Sequence, residues 1–373
     1  MRPRSKPRRL RVSWTTLLIL VVVLPLLIGL EQCTELNPFQ SRRITETVSG
    51  EWINIYFTVP RYPDDPSSRI GGIHDDLIGL IDQARASVDV AAYDLSLESV
   101  ADALIQAQRN GVRVRLVTDG NYTDRGALIR LQAAQVPVVV RPATGWGIMH
   151  NKFVVVDDTW VWTGSWNLTE NGTYRNNNNA VLIASRALAA NYSAEFAELF
   201  AGQFGPSSPA ETPHPLIIIQ TEDRSAEIET YFAPEDRVAE RLLAALSSAQ
   251  TVVRFMAFQF TSEPLANALI GLVGRGVAVQ GVIEARSVSD PYNQYDRLQA
   301  GGVNVWLDGN PYIMHHKVIL IDDETVVLGS YNFTASAEVN NDENVLIIRD
   351  PEVAAAFLAE YGRVLQQAQT AAP

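Results

Sequence analysis

The chain has 373 residues, of which 47% are apolar and 19% charged, and its formal net charge is −12. That composition belongs to a globular protein and excludes a disordered or collagen-like chain. A single cysteine, Cys33, excludes an intramolecular disulfide and argues against a cysteine-ligated metal site.

The first eleven residues, MRPRSKPRRLR, carry six positive charges and predict a basic cytoplasmic tail (1–11). Residues 12–30 follow with no charge, a length that at ~1.5 Å per residue spans about the hydrocarbon core of a bilayer. The segment reads as one N-terminal transmembrane anchor. A cleaved secretory signal is the rival, although EQC after it makes a poor cleavage site. The basic flank predicts a membrane-anchored protein with its remainder extracytoplasmic, or a secreted one if the segment is removed. Without the six tail charges the remainder is strongly acidic, which disfavours nucleic acid as a partner, since phosphate-backbone binding leaves a basic footprint.

Beyond a polar connector (31–48) the chain repeats itself. INIYFTVP (53–60) resembles IETYFAPE (228–235), and residues 87–119 align with 252–284 at an offset of 165. The first copy carries about ten extra residues around YPDDPSSRIGG. GPSSPAETPHP (205–215) reads as the linker between copies. Each copy alternates β-branched runs with helix-period segments such as LESVADALIQAQRNG, which ends on Gly111 where a helix C-terminus favours glycine. This pattern predicts an α/β fold with a largely parallel sheet in each copy, duplicated into a pseudo-dimer with an internal pseudo-twofold and monomeric as a chain. The expected domains are 45–204 and 216–370.

The offset of 165 persists through the most polar part of the repeat. MHNKFVVVDDTWVWTGSWN (149–167) is answered by MHHKVILIDDETVVLGSYN (314–332). On a strand, residues two apart share a face, so His150 projects with Lys152 and His315 with Lys317. Asn167 and Asn332 can be brought alongside from the G-S-x-N segments. Two imidazoles, two ammoniums and two amides around one point suit a phosphodiester: cations and amide donors hold the non-bridging oxygens, one histidine attacks phosphorus and the other protonates the leaving oxygen. The blander reading is a set of packed structural residues, against which stands the recurrence of His and Lys at identical repeat positions. His316 alternates to the opposite face and reads as a packing or rim residue. Asp157 and Asp322, at hairpin turns after apolar runs, read as turn-fixing residues. Trp146, Trp166, Tyr312 and Tyr331 flank the motifs, as cleft or as core. His74 and His214 have no motif context. Neither a glycine-rich phosphate loop nor zinc-ligand spacing is present, so no cofactor and no metal are expected.

H-x-K-x4-D followed by G-S-x-N, twice in one chain, resembles the phospholipase D superfamily, and the resemblance covers nearly everything after residue 48. It implies a metal-independent phosphodiesterase, or a phosphatidyltransferase, working through a covalent phosphohistidine between two α/β halves. By match His150 is the nucleophile, His315 the general acid and later base, and Lys152, Lys317, Asn167 and Asn332 hold the phosphate, with Ser165 and Ser330 in support. The family also places an acidic residue about a dozen positions after G-S-x-N to orient histidine. VNNDENVLI puts Glu343 there, and RNNNNAVLI aligns Asn179 with it. A carboxylate raises the pKa of its partner histidine, which suits a general acid, whereas an amide leaves His150 neutral for attack. Of the substrates that carry this reacting centre, phospholipid headgroups are the leading expectation. DNA or RNA, and phosphatidyl transfer of the cardiolipin-synthase type, are the alternatives, and a non-catalytic scaffold is a fourth. Specificity is expected in loops 60–72, 120–127, 141–149, 286–296 and 306–314.

Overall fold

A computed structural model describes residues 43–143, 145 and 147–371. The tail, the apolar segment 12–30 and Trp146 lie outside the described residues. From Ile44 onward the chain forms one compact unit.

The first repeat builds a seven-stranded sheet in the order Ile53–Phe57, Asn179–Ala184, Trp160–Gly164, Lys152–Val156, Ser87–Ala92, Arg113–Asp119, Val138–Arg141. The second builds the equivalent array from Ser225–Ala233, Glu343–Arg349, Thr325–Gly329, Lys317–Ile321, Val252–Ala257, Ala278–Ile283 and Asn304–Leu307. Two more strands, Leu216–Gln220 and Arg43–Thr47, extend that second sheet, so the segment entering the first repeat is an edge of the second.

The largely parallel sheet expected from the alternation of strands and helices is not what forms. Only the last three strands of each array pair in parallel, each linked to the next through a crossover helix. The motif strands are joined by short hairpin connections, 157–159 and 322–324, and a hairpin imposes antiparallel pairing. Asp157-Asp158 and Asp322-Asp323 occupy those turns with φ between 48° and 56°. A turn of this kind needs positive φ at both central residues, and Asp tolerates it better than a branched residue does.

Three apolar clusters hold the layers. Helices Ile73–Asp82, Glu98–Arg109 and Gly126–Ala133 cover the outer face of the first sheet through Leu77, Leu104 and Leu128. Leu242, Leu269 and Leu298 do the same on the second. The third cluster lies between the sheets and draws on both repeats, with Phe153, Val181, Tyr192 and Phe196 meeting Leu320, Leu346 and Phe357. Helices Arg186–Phe200 and Pro351–Ala371 are packed in this middle layer, each touching its own sheet and one strand of the other. Truncating Phe357, which is fully buried, to alanine would cost about 3–5 kcal/mol. The repeats therefore share a core and cannot be separated without opening it.

Candidate active site

The peptide entering each motif leaves its own sheet and pairs with the other repeat. Met149 bridges Asp342, and the His150 N–H donates to the Asp342 carbonyl at 3.0 Å. Ile313–Met314 pairs in parallel with Asn176–Asn177, and the His315 N–H donates to the Asn177 carbonyl at 2.9 Å. Each motif histidine is thus set down beside the residue that follows G-S-x-N in the opposite half.

The consequence is a crossed pair of contacts. His150 Nδ1 donates to Glu343 Oε2 at 2.7 Å. His315 Nδ1 donates to Asn178 Oδ1 at 2.9 Å and to the Ser165 carbonyl at 3.1 Å. Two sequence expectations are corrected here. Glu343 serves His150, not the histidine of its own half. The residue equivalent to Glu343 is Asn178, not Asn179: Ser330 Oγ donates to Glu343 at 2.6 Å as Ser165 Oγ donates to Asn178 at 3.0 Å. The constant offset of 165 gives the same answer, which four consecutive asparagines (176–179) had hidden.

Glycine in G-S-x-N has a steric cause. Gly164 and Gly329 have φ of 151° and 148°. A Cβ would lie 2.4 Å from the Asn179 carbonyl oxygen in one and 2.2 Å from that of Asn344 in the other, far inside contact distance. The serine that follows receives the N–H of Asn179 or Asn344 and so locks the strand that carries Asn178 or Glu343.

The lysines lie beside their histidines, as H-x-K alternation requires. Lys152 Nζ donates to the His150 carbonyl at 2.7 Å and Lys317 Nζ to that of His315 at 2.9 Å. Each ammonium also lies over an aromatic ring, Lys152 over Tyr93 at 5.1 Å and Lys317 over Phe258 at 4.8 Å. The same rings meet the imidazoles, at 4.8 Å for His150 and 4.7 Å for His315. Asn167 and Asn332 each carry a buried Oδ1 with no hydrogen-bond partner. An unpaired buried amide oxygen costs free energy.

Burial governs the electrostatics. His150 is held down at about 4 by desolvation, against which Glu343 pulls up and Lys152 pushes further down. His315 is held well below the ordinary range by desolvation and then by Lys317, Lys152 and His150. Lys152 is lowered by desolvation to about 7, and Lys317 is lowered by desolvation and by Lys152. Burial pushes the Glu343 carboxyl up, but the charge and hydrogen bond of His150, with Lys152 and Ser330, hold it below its usual value. The resting state is therefore a neutral His150 whose Nδ1–H faces a carboxylate, which leaves the Nε2 lone pair free.

Asp157 and Asp322 stand apart from this cluster. Asp157 accepts from the N–H groups of Arg85, Ala86 and Ser87, and Asp322 from those of Gln250, Thr251 and Val252. Trp166, Tyr331 and Met149 are core residues at 3% exposure or less. Tyr312 is on the loop side and donates its hydroxyl to no motif residue; it accepts the Asp64 N–H at 2.8 Å.

A second polar layer lies behind the first, and the sequence reading did not anticipate it. Asn151 bridges Glu195 at 2.9 Å and Asn344 at 2.7 Å. Its counterpart His316 bridges Glu360 and Asn179, both at 2.9 Å. His316 is thus a fully buried polar link and more than packing. The members of each pair, 151/316, 195/360 and 179/344, are again 165 apart. That offset was the available signal.

A family model described as cardiolipin synthase, PLD-like domain, matches residues 77–200 and again 242–365. The chain belongs to the phospholipase D superfamily. It is 31% identical over 136 residues to a phospholipase D of Rickettsia conorii, a match covering 36% of this chain and 68% of that protein. It is 37% identical over 127 residues to the human mitochondrial cardiolipin hydrolase, covering 34% of this chain and 50% of that one. The solved phosphatidylserine synthase of Haemophilus influenzae superposes with a TM-score of 0.60 over 84% of this chain and 86% of that chain, at 15% identity. That last likeness speaks for the two-repeat fold alone.

Proposed function

We propose that this protein is a phosphodiesterase that hydrolyses phospholipid headgroup esters through a phosphohistidine on His150. The observation that carries the reading is the Glu343–His150 contact, which fixes the tautomer that leaves Nε2 free. In this mechanism Nε2 attacks phosphorus while the bond from phosphorus to the leaving oxygen breaks. The cation that develops on His150 is stabilised by Glu343. His315 gives its Nε2 proton to the departing alkoxide. Its low resting pKa is raised when the anionic phosphodiester enters between Lys152 and Lys317, so the substrate itself charges the acid. Neutral His315 then takes a proton from water, the water oxygen attacks phosphorus, the P–N bond breaks, and His150 is regenerated. Lys152, Lys317, Asn167 and Asn332 hold the non-bridging oxygens through both steps. The relatives named phospholipase D and cardiolipin hydrolase support a lipid substrate. On the same reading the uncharged segment 12–30 tethers the catalytic unit, repeats 45–204 and 216–370, to the extracytoplasmic membrane face.

The test uses the full chain in proteoliposomes of phosphatidylcholine, phosphatidylglycerol and cardiolipin with EDTA present. Headgroup or phosphatidate release should fall at least a thousandfold in both His150→Ala and His315→Ala. Cleavage of single-stranded DNA with no lipid turnover would overturn the substrate assignment. Product captured by added alcohol in preference to water would move the reading to transfer.

A further inference from the structure

The two repeats differ most between their first strand and first helix. In the second repeat only residues 234–237 connect them, whereas the first repeat uses 58–72. The extra loop places three large apolar side chains in solvent: Val59 at 65% exposure, Tyr62 at 68% and Ile70 at 96%. Single exposed apolar residues need no explanation, but three on one short loop do.

The loop is not slack. Asp64 accepts from Arg69 Nε at 3.0 Å and from Arg175 Nε at 2.8 Å. Arg69 also pairs with Glu170 and lies over the Tyr174 ring at 4.2 Å. The Asp64 N–H donates to Tyr312, and Tyr62 meets the same ring edge-on at 5.5 Å. Both supports adjoin the segments that lead into the site. Tyr312 lies three residues before His315, and Arg175 directly precedes Asn176–Asn177, which pair with the segment entering His315. The loop is thus braced against the two segments, one from each repeat, that set His315.

We propose that this loop is a lipid-docking element that seats the active site on the bilayer surface. The proposal rests on the phospholipid reading above and adds where the substrate surface touches the protein. Rigid presentation of Val59, Tyr62 and Ile70 lets them enter the interface without ordering cost, and a tyrosine with an apolar body and a polar tip suits that depth. The loop's charges, Arg61 and Arg69 against Asp64 and Asp65, cancel. A chain of net charge −12 therefore meets the membrane with a neutral apolar tip, and docking should not require anionic lipid.

The experiment uses the full chain carrying Cys33→Ser and Ile70→Cys, labelled at residue 70 with an environment-sensitive fluorophore and reconstituted into phosphatidylcholine vesicles. A second label at Ile129→Cys, on an outer helix at 53% exposure, is the control. Blue-shifted emission at position 70, quenched by lipids spin-labelled near the headgroup, is expected, with position 129 unchanged. An unquenched, unshifted label at 70 overturns the proposal. In parallel, Val59→Ser and Ile70→Ser should each lower kcat/KM on vesicles about tenfold. The same variants should leave hydrolysis of soluble bis(p-nitrophenyl) phosphate unchanged, and equal losses on both substrates overturn the proposal. Quenching at 70 in a protein that turns over no lipid would sink the substrate reading and keep the docking loop. Lipid turnover without quenching would do the reverse.

Discussion

Replacing Glu343 by glutamine removes one charge and almost no volume, so its effect isolates the contact with His150. Glu343 accepts three hydrogen bonds, from His150 Nδ1 at 2.7 Å, Ser330 Oγ at 2.6 Å and Asn341 Nδ2 at 3.1 Å. A carboxylate can accept all three, but an amide has a single oxygen. If that oxygen keeps His150 and Ser330, the amide nitrogen faces the Asn341 donor. If it turns to Asn341, the amide nitrogen faces His150, which can accept only by carrying its proton on Nε2. Either arrangement strands a donor in a fully buried site, and the second destroys the nucleophile. The cation formed on attack also loses its counter-charge. The expected loss in kcat is 10²–10⁴-fold, about 3–5 kcal/mol.

The assay that separates this from a general loss of fold uses two leaving groups. With p-nitrophenyl esters the leaving oxygen departs without protonation, so formation of the phosphoenzyme depends on His150 and Glu343 and little on His315. Rapid alkaline quench of Glu343→Gln should show the phosphohistidine burst slowed at least a hundredfold. His315→Ala and Asn178→Ala should burst at near wild-type rate and then stall, because the phosphoenzyme lacks its base. With an alkyl leaving group all three should fail in the first step. A full burst from Glu343→Gln, or a lost burst from Asn178→Ala with a normal one from Glu343→Gln, would refute the crossed assignment.

Three other outcomes follow from the same geometry. Asp157→Ala should strand the N–H groups of Arg85, Ala86 and Ser87 and cost about 1–3 kcal/mol, read as a lower Tm with kcat within about threefold of wild type. Lys152, held down at about 7 chiefly by burial, is charged below that pH and neutral above it, so KM should rise from pH 7 to 9. Over the same range kcat should stay flatter, since the bound anion restores the charge; a KM independent of pH over that range would remove Lys152 from phosphate binding. Glu235 is raised to about 8, first by burial, so the folded state keeps its proton where the unfolded state has lost it. Its contribution is complete below about pH 4.5 and disappears as pH rises through 8. Glu235→Gln should therefore gain on wild type between pH 5 and 9, and thermal melts with a constant difference would contradict this.

The side chains of the candidate site were legible in the sequence because strand periodicity and the offset of 165 act within each repeat. His150 and Lys152 share a face whatever the rest of the molecule does, and the hairpins at Asp157 and Asp322 are encoded by their own turn residues. Partnership across the repeats was not legible in the same way. Glu343 and His315 belong to one repeat, and only the exchange of the segments ending at Met149 and Met314 carries Glu343 to His150. That exchange is backbone pairing, and it leaves little trace in side-chain type. The register error at Asn178 had a simpler cause, a run of identical residues with no apolar landmark. Repeat logic also failed at the edge of the sheet: Arg43–Thr47 precedes the first repeat in sequence yet pairs on the second.

The crossing gives the asymmetry of the site a use that pairing within each half would not. In the proposed mechanism two pseudo-equivalent histidines perform different tasks, and the residue that tells them apart is Glu343 against Asn178. A carboxylate on Nδ1 favours the ring that must become a cation on attacking phosphorus. An amide oxygen orients the other ring but lends it no charge, so its proton affinity follows whatever lies between the lysines. Before substrate binds, burial and the neighbouring lysines hold His315 neutral; with a phosphodiester in place the balance reverses and His315 can hold the proton it must give. Because each orienting residue comes from the opposite repeat, neither histidine is set until the shared core of Phe153, Phe196, Leu346 and Phe357 has closed. Large-to-small changes in that core should then reduce kcat through both histidines at once, while a change at Glu343 or Asn178 reduces it through one.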